Sequence, residues 1–475
     1  MKTIWRLVLV VIVAATTELP AHCKASEHPN VLLLMIDDLG RCDLAVDGSN
    51  FHDTPHLDAL AAGGVRFTDF YSAHPVCSPT RAALMTGKAP QRVGITDWIH
   101  PNSGISLPTA ETTLGEAFQG HGYQTAYIGK WHLGDSNEDQ PTSHGFEWIR
   151  GVNRAGQPAS YYFPYRREKK NDAAASLWDV PDLDAGQPDD YLTDALTDQA
   201  IEFFTTHRDA TRPFLMCFGH YAVHTPIQPP EQLPDKYRLK RSALYGDSET
   251  PTKPAPYGAV SRGRQDNPDY AAMMENLDSN IGRLLARLKK LELSDDTIVV
   301  FTSDNGGLCT LAKGRSGPTC NLPYRSGKGW TYEGGIRIPT IVSWPGTLKP
   351  KVVSTPGYTA DIYPTLLELC GFPLAPEQHR DGQSLSHVLF GKPPGSLTER
   401  PLMWYYPHDH GSGHLPSAAI RQGRWKLVHG LESHRSELYD LETDVKETVE
   451  LGDQHPEVAA ALKQTLLAWI ESSRL

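Results

Sequence analysis

Five short apolar runs in this chain each end in polar residues. They are NVLLLMIDD (30–38), YQTAYIGKWH (123–132), PFLMCFGHYAVH (213–224), DTIVVFTSDNGG (296–307) and IPTIVSWPG (338–346). Runs of Val, Ile and Leu without polar alternation are typical of strands buried on both faces, as in a parallel sheet. The runs therefore predict a sheet that is covered on both sides.

Segments with helical character lie between these runs. TPHLDALAAGGVRF opens with Thr54 as a candidate N-cap and Pro55 in the first turn. Residues 269–293 repeat apolar side chains at helical spacing, which predicts one helix face packed on the sheet. Strands that alternate with helices indicate an α/β fold.

The pattern changes after about residue 390. SAAIRQGRWKLVHG and SELYDLETD are typical of short antiparallel strands with turns, and PEVAAALKQTLLAWIESS is typical of a closing helix. We therefore predict a large α/β domain over residues 26–390 and a small α+β subdomain over residues 391–475, made of an antiparallel sheet and a helix.

The first 25 residues have the features of a signal peptide. Lys2 and Arg6 precede the apolar stretch LVLVVIVAA, and small residues follow it. This stretch is shorter than the roughly 20 residues that a membrane span needs. The net charge of −11 is unlike that of a nucleic-acid-binding protein. We expect an exported protein, periplasmic or secreted, with no membrane span and no nucleic-acid partner.

The seven cysteines leave at least one thiol without a disulfide partner. Cys309 and Cys320 flank a glycine-containing loop. These two residues either form a local disulfide or remain free thiols, and both alternatives stay open. Cys217 and Cys370 lie in apolar runs, which predicts buried thiols that pack as small hydrophobic side chains.

Polar side chains follow two of the predicted strands. Asp37 and Asp38 come after the first strand, and Asp304 and Asn305 come after another. Ligands bind at the carboxyl ends of strands in open α/β sheets. Three carboxylates and one amide oxygen suit a hard cation such as Ca²⁺ or Mg²⁺. The alternative is that these side chains cap neighbouring helices.

Cys77 lies in HPVCSPTRAALMTG, just before a predicted helix. Ser78 is a suitable N-cap, and Pro79 is suitable for the first helical position. Free N–H groups and the helix dipole favour an anion at this end. Arg81 can turn back toward the same place. The segment thus predicts a nucleophile that faces an anionic group.

At this point the sequence resembles the type I sulfatases of the alkaline phosphatase superfamily. CSPTR matches their Cys-x-Pro-x-Arg signature, and GYQTAYIGKWHLG (122–134) matches their second signature. The two acidic pairs and GKGWTYEGGIRIP (327–339) match further blocks in the same order. The resemblance extends over residues 28–475. It implies an alkaline-phosphatase-like fold, with a mixed, mostly parallel sheet flanked by helices.

The resemblance also implies roles for individual residues. Cys77 would be oxidised to formylglycine by a formylglycine-generating enzyme, and its hydrate would attack sulfur. One Ca²⁺ per chain would be held by Asp37, Asp38, Asp304, Asn305 and residue 77. Arg81 would stabilise the hydrate, and His224 would protonate the leaving oxygen. The remaining three residues, Lys130, His132 and Lys328, would bind sulfate. Without this resemblance, a lone lysine or histidine at a strand end is more often a solvated surface residue.

The implied substrate is a sulfate ester on a carbohydrate. Two segments are candidate pocket rims: MWYYPHDHGSGH (403–414), with His408 and His410 as substrate-binding candidates, and GVNRAGQPASYYFPY (151–165). QRVGITDWI (91–99) resembles a block in sulfatases that act on galactose sulfate and N-acetylgalactosamine sulfate. Two alternatives stay open: a phosphonate monoester or phosphodiester hydrolase of the same superfamily, and a non-catalytic protein that binds sulfated glycans.

Overall fold

The computed structural model describes residues 28–166 and 176–473. The expected signal peptide, including Cys23, lies outside the described residues. No helix in the described part of the chain is long and apolar enough to cross a bilayer.

The strands are named β1 to β17 in chain order. They are β1 (Asn30–Ile36), β2 (Val65–Phe67), β3 (Phe70–Tyr71), β4 (Gln124–Gly129), β5 (Trp148–Arg150), β6 (Phe214–Gly219), β7 (Thr252–Pro254), β8 (Val260–Arg262), β9 (Thr297–Ser303), β10 (Thr310–Leu311), β11 (Thr340–Ser343), β12 (Lys351–Val353), β13 (Gly357–Tyr358), β14 (Leu402–Tyr406), β15 (Ser417–Gln422), β16 (Trp425–Gly430) and β17 (Ser436–Asp440).

The α-helices are named in the same way. They are α1 (Pro55–Gly63), α2 (Cys77–Thr86), α3 (Leu114–Gly120), α4 (Leu192–Glu202), α5 (Pro234–Tyr245), α6 (Pro268–Lys290), α7 (Glu333–Ile336), α8 (Ile362–Leu369), α9 (Ser386–Leu389) and α10 (Pro456–Ser473). Short turns of other helix types lie between some of them.

The central sheet has eight strands in the order β12-β2-β11-β9-β1-β6-β4-β5. Each of the five apolar runs forms one of its strands. Four of them, β1, β4, β6 and β9, lie side by side and are parallel. The fifth, β11, runs antiparallel to both of its neighbours, β2 and β9. The sheet is therefore mixed and mostly parallel, and an apolar run alone did not determine strand direction.

Alternate residues of β1 enter two different hydrophobic cores. Val31, Leu33 and Met35 pack into a core that includes residues of α2 and α8. Leu32, Leu34 and Ile36 pack into a second core with residues of α1, α4 and α6. Burial on both faces explains the uninterrupted apolar run from Val31 to Ile36.

One predicted helix start needs correction. Helix α2 begins at Cys77 and its N-cap position is Val76, so Ser78 lies inside the helix. The Ser78 hydroxyl instead accepts a hydrogen bond from the backbone N–H of Ile99. Thr54 is the N-cap residue of α1 but makes no side-chain cap hydrogen bond. Its hydroxyl instead accepts a hydrogen bond from the Ala45 N–H and donates one to Asp58 Oδ1.

The C-terminal strands form a separate antiparallel sheet in the order β14-β15-β16-β17. One side of it packs on α10 through residues such as Leu427 and Leu466. The other side, which includes Trp404, packs on residues that precede the sheet in the chain, such as Tyr71 and Trp330.

A buried charge cluster reinforces the contact of this sheet with the rest of the chain. The Lys426 ammonium lies 2.9 Å from Glu333 Oε1 and 2.8 Å from Glu447 Oε1. Glu447 also accepts a hydrogen bond from the Glu333 N–H. Removing one partner would leave a buried charge uncompensated.

Cys309 and Cys320 are both buried free thiols, so the alternative of two free thiols holds and no disulfide joins them. Cys309 Sγ instead lies 3.0 Å from the carbonyl oxygen of Ser326, to which it donates. Cys217 and Cys370 are buried thiols, as their apolar surroundings predicted.

Candidate active site

The predicted site residues converge because their strands are neighbours. Asp37 and Asp38 follow β1, Asp304 and Asn305 follow β9, Lys130 and His132 follow β4, and His224 lies on the segment after β6. These four strands are adjacent and parallel, so their carboxyl ends meet at one edge of the sheet. The N-terminus of α2 brings Cys77 to the same edge, where its Sγ lies 3.3 Å from His132 Nδ1.

Three buried carboxylates are matched by three cations. Lys130 Nζ lies 2.7 Å from Asp37 Oδ2, and Lys328 Nζ lies 2.7 Å from Asp38 Oδ1. Arg81 donates from both Nε and a terminal nitrogen to Asp304 Oδ2, at 2.9 and 2.7 Å. The cluster is close to neutral while remaining strongly polar.

Two acceptor atoms in this cluster have no hydrogen-bond partner among the described residues: Asp37 Oδ1 and Asn305 Oδ1. Buried polar atoms are rarely left unpaired, so their position calls for a ligand. Asp37, Asp38 and His224 also offer atoms that all lie within 4.8 Å of one another. Carboxylate and amide oxygens are ligands that Ca²⁺ prefers. The predicted residues therefore fit a divalent cation.

The pKa values of the two adjacent aspartates move in opposite directions. Burial, together with Asp304 and Asp38, raises the pKa of Asp37 well above its usual value, although Lys130 opposes this shift. Burial would also raise the pKa of Asp38, but Lys328 and then His224 outweigh it and hold that pKa low. Asp38 is therefore the more readily ionised of the pair.

Arg81 forms hydrogen bonds with two neighbouring segments of the site. Besides Asp304, it donates 2.7 Å to the carbonyl oxygen of Lys130. Its guanidinium thus ties together the ends of β9 and β4. We interpret Arg81 as a residue that positions Asp304 and Lys130.

His132 contacts residue 77 through a defined tautomer. Its Nε2 lies 3.0 Å from the carbonyl oxygen of Ile99, which only accepts, so Nε2 carries the proton. Nδ1 is then an acceptor that faces Cys77. Burial, and then Lys130, lower the pKa of His132 well below its usual value, so the ring is neutral. His132 thus offers a neutral acceptor to residue 77, and its role toward sulfate stays a prediction.

His224 is neutral as well. Its Nδ1 lies 2.8 Å from the carbonyl oxygen of Thr225, so Nδ1 carries the proton and Nε2 faces Asp38 at 3.7 Å. Burial, and then Lys328, lower the pKa of His224 to about 3. It must gain a proton on Nε2 before it can act as an acid.

A cavity of about 380 Å³ opens above these groups. Cys77, His132, His224 and Lys328 line its floor, whereas Lys130 is fully buried behind it. A sulfate in the cavity can therefore reach Lys328, whereas the Lys130 ammonium contacts Asp37. Burial raises the pKa of the Cys77 thiol, so the unmodified side chain is protonated.

The rim of this cavity comes from three segments, two of which lie within the candidate rims 151–165 and 403–414. Residues 97–100, 155–157 and 409–411 contribute to it. His410 lines the cavity, as predicted. His408 does not, because its Nε2 lies 3.0 Å from the hydroxyl of Thr96.

Sequence reasoning did not identify the individual rim residues Asp97, Trp98, His100 and Gln157. The Asp-Trp pair in QRVGITDWI was the available signal, since an acid and an aromatic residue suit a sugar. Asp97 accepts from the hydroxyl of Tyr406 at 3.0 Å, which fixes the carboxylate at the rim.

Gly156 allows one rim segment to pack closely on His132. Its φ is +70°, and a Cβ there would lie 2.2 Å from His132 Nδ1. Only a residue without a side chain fits between the rim and this ring.

Comparisons with known proteins agree with this geometry. The sulfatase family model matches residues 29–372, and a model described as N-sulphoglucosamine sulphohydrolase, C-terminal, matches residues 326–472. The N-acetylgalactosamine-6-sulfatase of Canis lupus familiaris is 34% identical over 423 residues, which cover 84% of this chain and 72% of the relative.

Solved structures share the fold. The crystal structure of Ps i-CgsB in complex with k-i-k-neocarrahexaose has a TM-score of 0.77 and 27% identity, with 93% of this chain and 92% of that chain covered. The phosphonate monoester hydrolase of Agrobacterium radiobacter has a TM-score of 0.67 and 22% identity, with 94% and 96% covered. The latter similarity concerns the fold alone.

Proposed function

Because this chain belongs to the sulfatase family and is a sulfuric ester hydrolase, we propose that it removes sulfate from a sulfated carbohydrate outside the cytoplasm. The observation that carries the proposal is the cavity of about 380 Å³. Its floor presents Cys77, Lys328 and two histidines, and its rim presents an aromatic ring and several hydrogen-bonding side chains. The floor suits a sulfate group, and the rim suits a sugar ring.

Galactose and N-acetylgalactosamine sulfates are the sugars that we favour. The relative described above is an N-acetylgalactosamine-6-sulfatase, and the solved structure with the higher TM-score holds a carrageenan-type hexasaccharide. At the rim, Trp98 offers a ring face, while Asp97 and Gln157 offer groups that bond sugar hydroxyls.

A panel of substrates tests the proposal. N-acetylgalactosamine 6-sulfate, galactose sulfates and glucosamine 6-sulfate should be compared with nitrophenyl sulfate and bis-nitrophenyl phosphate. Turnover of at least one sugar sulfate, with a higher kcat/KM than for the phosphodiester, is expected. A preference for the phosphodiester over every sulfate would refute the proposal and favour the phosphodiester hydrolase alternative.

We further propose that Cys77 is oxidised to formylglycine by a formylglycine-generating enzyme of the host. A buried, protonated thiol is a weak nucleophile, so the unmodified residue is poorly suited to attack sulfur. The hydrated aldehyde would supply the attacking hydroxyl. Mass spectrometry of the peptide that contains Cys77 should show conversion in active enzyme. Full activity with an intact thiol would contradict this proposal.

The proposed cation is Ca²⁺, held by Asp37, Asp38, Asp304, Asn305 and an oxygen of residue 77. When bound, it would polarise the sulfate and stabilise negative charge. The support for it is the pair of unpartnered buried oxygens on Asp37 and Asn305. Metal analysis of the purified protein should give one Ca²⁺ per chain.

The remaining steps fall to side chains on the cavity floor. His132 Nδ1 accepts the proton of the attacking hydroxyl on residue 77, since it already faces that residue. Lys328 balances charge that develops on the sulfate oxygens. His224, protonated on Nε2 when the anionic substrate binds, donates to the leaving sugar oxygen. Arg81 keeps Asp304 in place throughout.

A further inference from the structure

A second cavity lies on the other side of the segment that carries Lys328. Its volume is about 440 Å³. Its walls come from β7 and β8, from residues 321–326 and from the end of the C-terminal sheet. Ser326 lines this cavity and Lys328, two residues later, lines the candidate active site. The proposed catalytic steps use no residue of this second cavity.

Cationic side chains dominate its lining. They are Lys253, Arg262, Arg325 and Lys446, and Glu447 is the acid that also lines it. Glu447 is already compensated by the buried ammonium of Lys426.

Two of these cations, Lys253 and Lys446, are available to a ligand, whereas the two arginines lie beside carboxylates. Arg262 is paired with Asp266, and Arg325 lies 3.5 Å from Glu437. Lys253 and Lys446 are exposed and make no ion pair with any residue in the described part of the chain. The cavity therefore has an excess of positive charge, which favours an anionic ligand.

The interior of the cavity contains an unsatisfied polar group. Ser326 is 5% exposed, and its hydroxyl has no hydrogen-bond partner within residues 28–166 and 176–473. The backbone of Ser326 has a φ of +58°. It is held there by Cys309 Sγ and Asn321 Nδ2, which both donate to its carbonyl oxygen. A buried hydroxyl that is fixed without a partner is suited to bond a ligand.

The two cavities also share a boundary. Pro256 lines the second cavity and Gly411 lines the candidate active site. The segments that carry them touch, because a Cβ on Gly413 would lie 2.8 Å from that of Ala259. Beside Pro256, the ring of Tyr257 is 61% exposed and lies parallel to Trp330, at 6.2 Å between centroids. An exposed aromatic face of this kind can stack on a sugar ring.

We propose that the second cavity binds another anionic sugar unit of the same glycan chain whose sulfate occupies the active site. This inference rests on the proposed glycan sulfatase function. The bound unit carries a sulfate or carboxylate that Lys253 and Lys446 neutralise. The protein thereby discriminates in favour of sulfated oligosaccharides over sulfated monosaccharides.

The test uses inhibition of nitrophenyl sulfate hydrolysis by the mature enzyme. The inhibitors are hexasaccharides from chondroitin 6-sulfate and from carrageenan, with the corresponding sulfated monosaccharides beside them. In the double variant K253A/K446A, the Ki of at least one hexasaccharide should rise by about two- to thirtyfold, as expected for two exposed ion pairs. The Ki of the monosaccharides and the kcat/KM for nitrophenyl sulfate should stay unchanged.

The matched control is K290A/K349A, which removes two exposed lysines far from the cavity lining. Carrageenan carries sulfate without carboxylate. If K253A/K446A raises the Ki of the chondroitin hexasaccharide alone, the group that the second cavity binds is therefore the carboxylate. Equal Ki values for both double variants would overturn the second site and leave the proposed function intact. If no sulfated saccharide inhibits while nitrophenyl sulfate is hydrolysed, the glycan proposal fails and this inference fails with it.

Discussion

Gly156→Ala should show how strongly turnover depends on the position of the His132 ring, because the substitution leaves every other group of the site chemically unchanged. The added methyl group would lie 2.2 Å from His132 Nδ1 and 2.3 Å from two further ring atoms. The ring or the rim must therefore move by roughly 1 Å to restore an ordinary contact, and a displacement of that size can cost about 100-fold in rate. We expect kcat for nitrophenyl sulfate to fall by about that factor.

Gly104→Ala is the matched control for this substitution. Gly104 has a φ of +71°, close to the +70° of Gly156, but a Cβ there would meet no atom within 4 Å. Both variants carry the same backbone strain, of about 1 to 2 kcal/mol. Only Gly156→Ala should lose activity, as measured by steady-state kinetics, and its thermal unfolding should shift at least as far as that of Gly104→Ala.

A double-mutant cycle with His132→Ala sharpens the test. If Gly156→Ala acts by displacing the imidazole, it should cost little further activity once that ring has been removed. Equal activity of Gly156→Ala and Gly104→Ala would refute the reasoning. Full additivity with His132→Ala would show that the methyl group acts through the rim instead.

Four further substitutions have distinct expected outcomes. His224→Ala should lower kcat for a sugar sulfate by about 10²- to 10⁴-fold but affect nitrophenyl sulfate far less, because nitrophenolate leaves without a proton. Equal losses of kcat on both substrates would rule out His224 as the acid. Lys130→Ala, by contrast, should impair turnover of both substrates. Asp304→Ala should abolish stoichiometric Ca²⁺ in metal analysis together with turnover, and wild-type metal content would show that the site is elsewhere. In His220→Phe, the free energy of unfolding, measured with urea at pH 7 and pH 5, should fall less on acidification than it does in the wild-type protein. Burial lowers the pKa of His220 to about 3, so below about pH 6.5 the unfolded chain takes up a proton that the folded one does not, which costs about 1.4 kcal/mol per pH unit. An unchanged pH dependence in His220→Phe would contradict this assignment.

The chemistry-bearing residues were predictable because they follow strands whose order in space is constrained. Asp37 and Asp304 come directly after long apolar runs, and neighbouring parallel strands bring such positions to one edge. The antiparallel direction of β11 was not predictable, since a fully buried strand has the same composition in either direction.

Contacts between side chains were harder to anticipate than positions along the chain. Lys130 and Lys328 look alike at the level of sequence, yet one is sealed behind the floor and the other lines the cavity. His408 and His410 lie two residues apart on a loop, and only His410 faces the cavity. Loop conformation depends on contacts with distant segments, such as the one between His408 and Thr96, which local sequence does not encode.

The division between floor and rim has an evolutionary consequence. The floor groups sit at the ends of buried strands and inside α2, where a change in length would disturb the whole sheet. The rim comes from three loops that are far apart in the chain, and surface loops tolerate insertions and deletions at little thermodynamic cost. Each loop can therefore be lengthened, shortened or exchanged by mutation independently of the others. Gene lineages that descend from such a scaffold can diversify in the sugars they accept while they inherit one unaltered set of reactive groups.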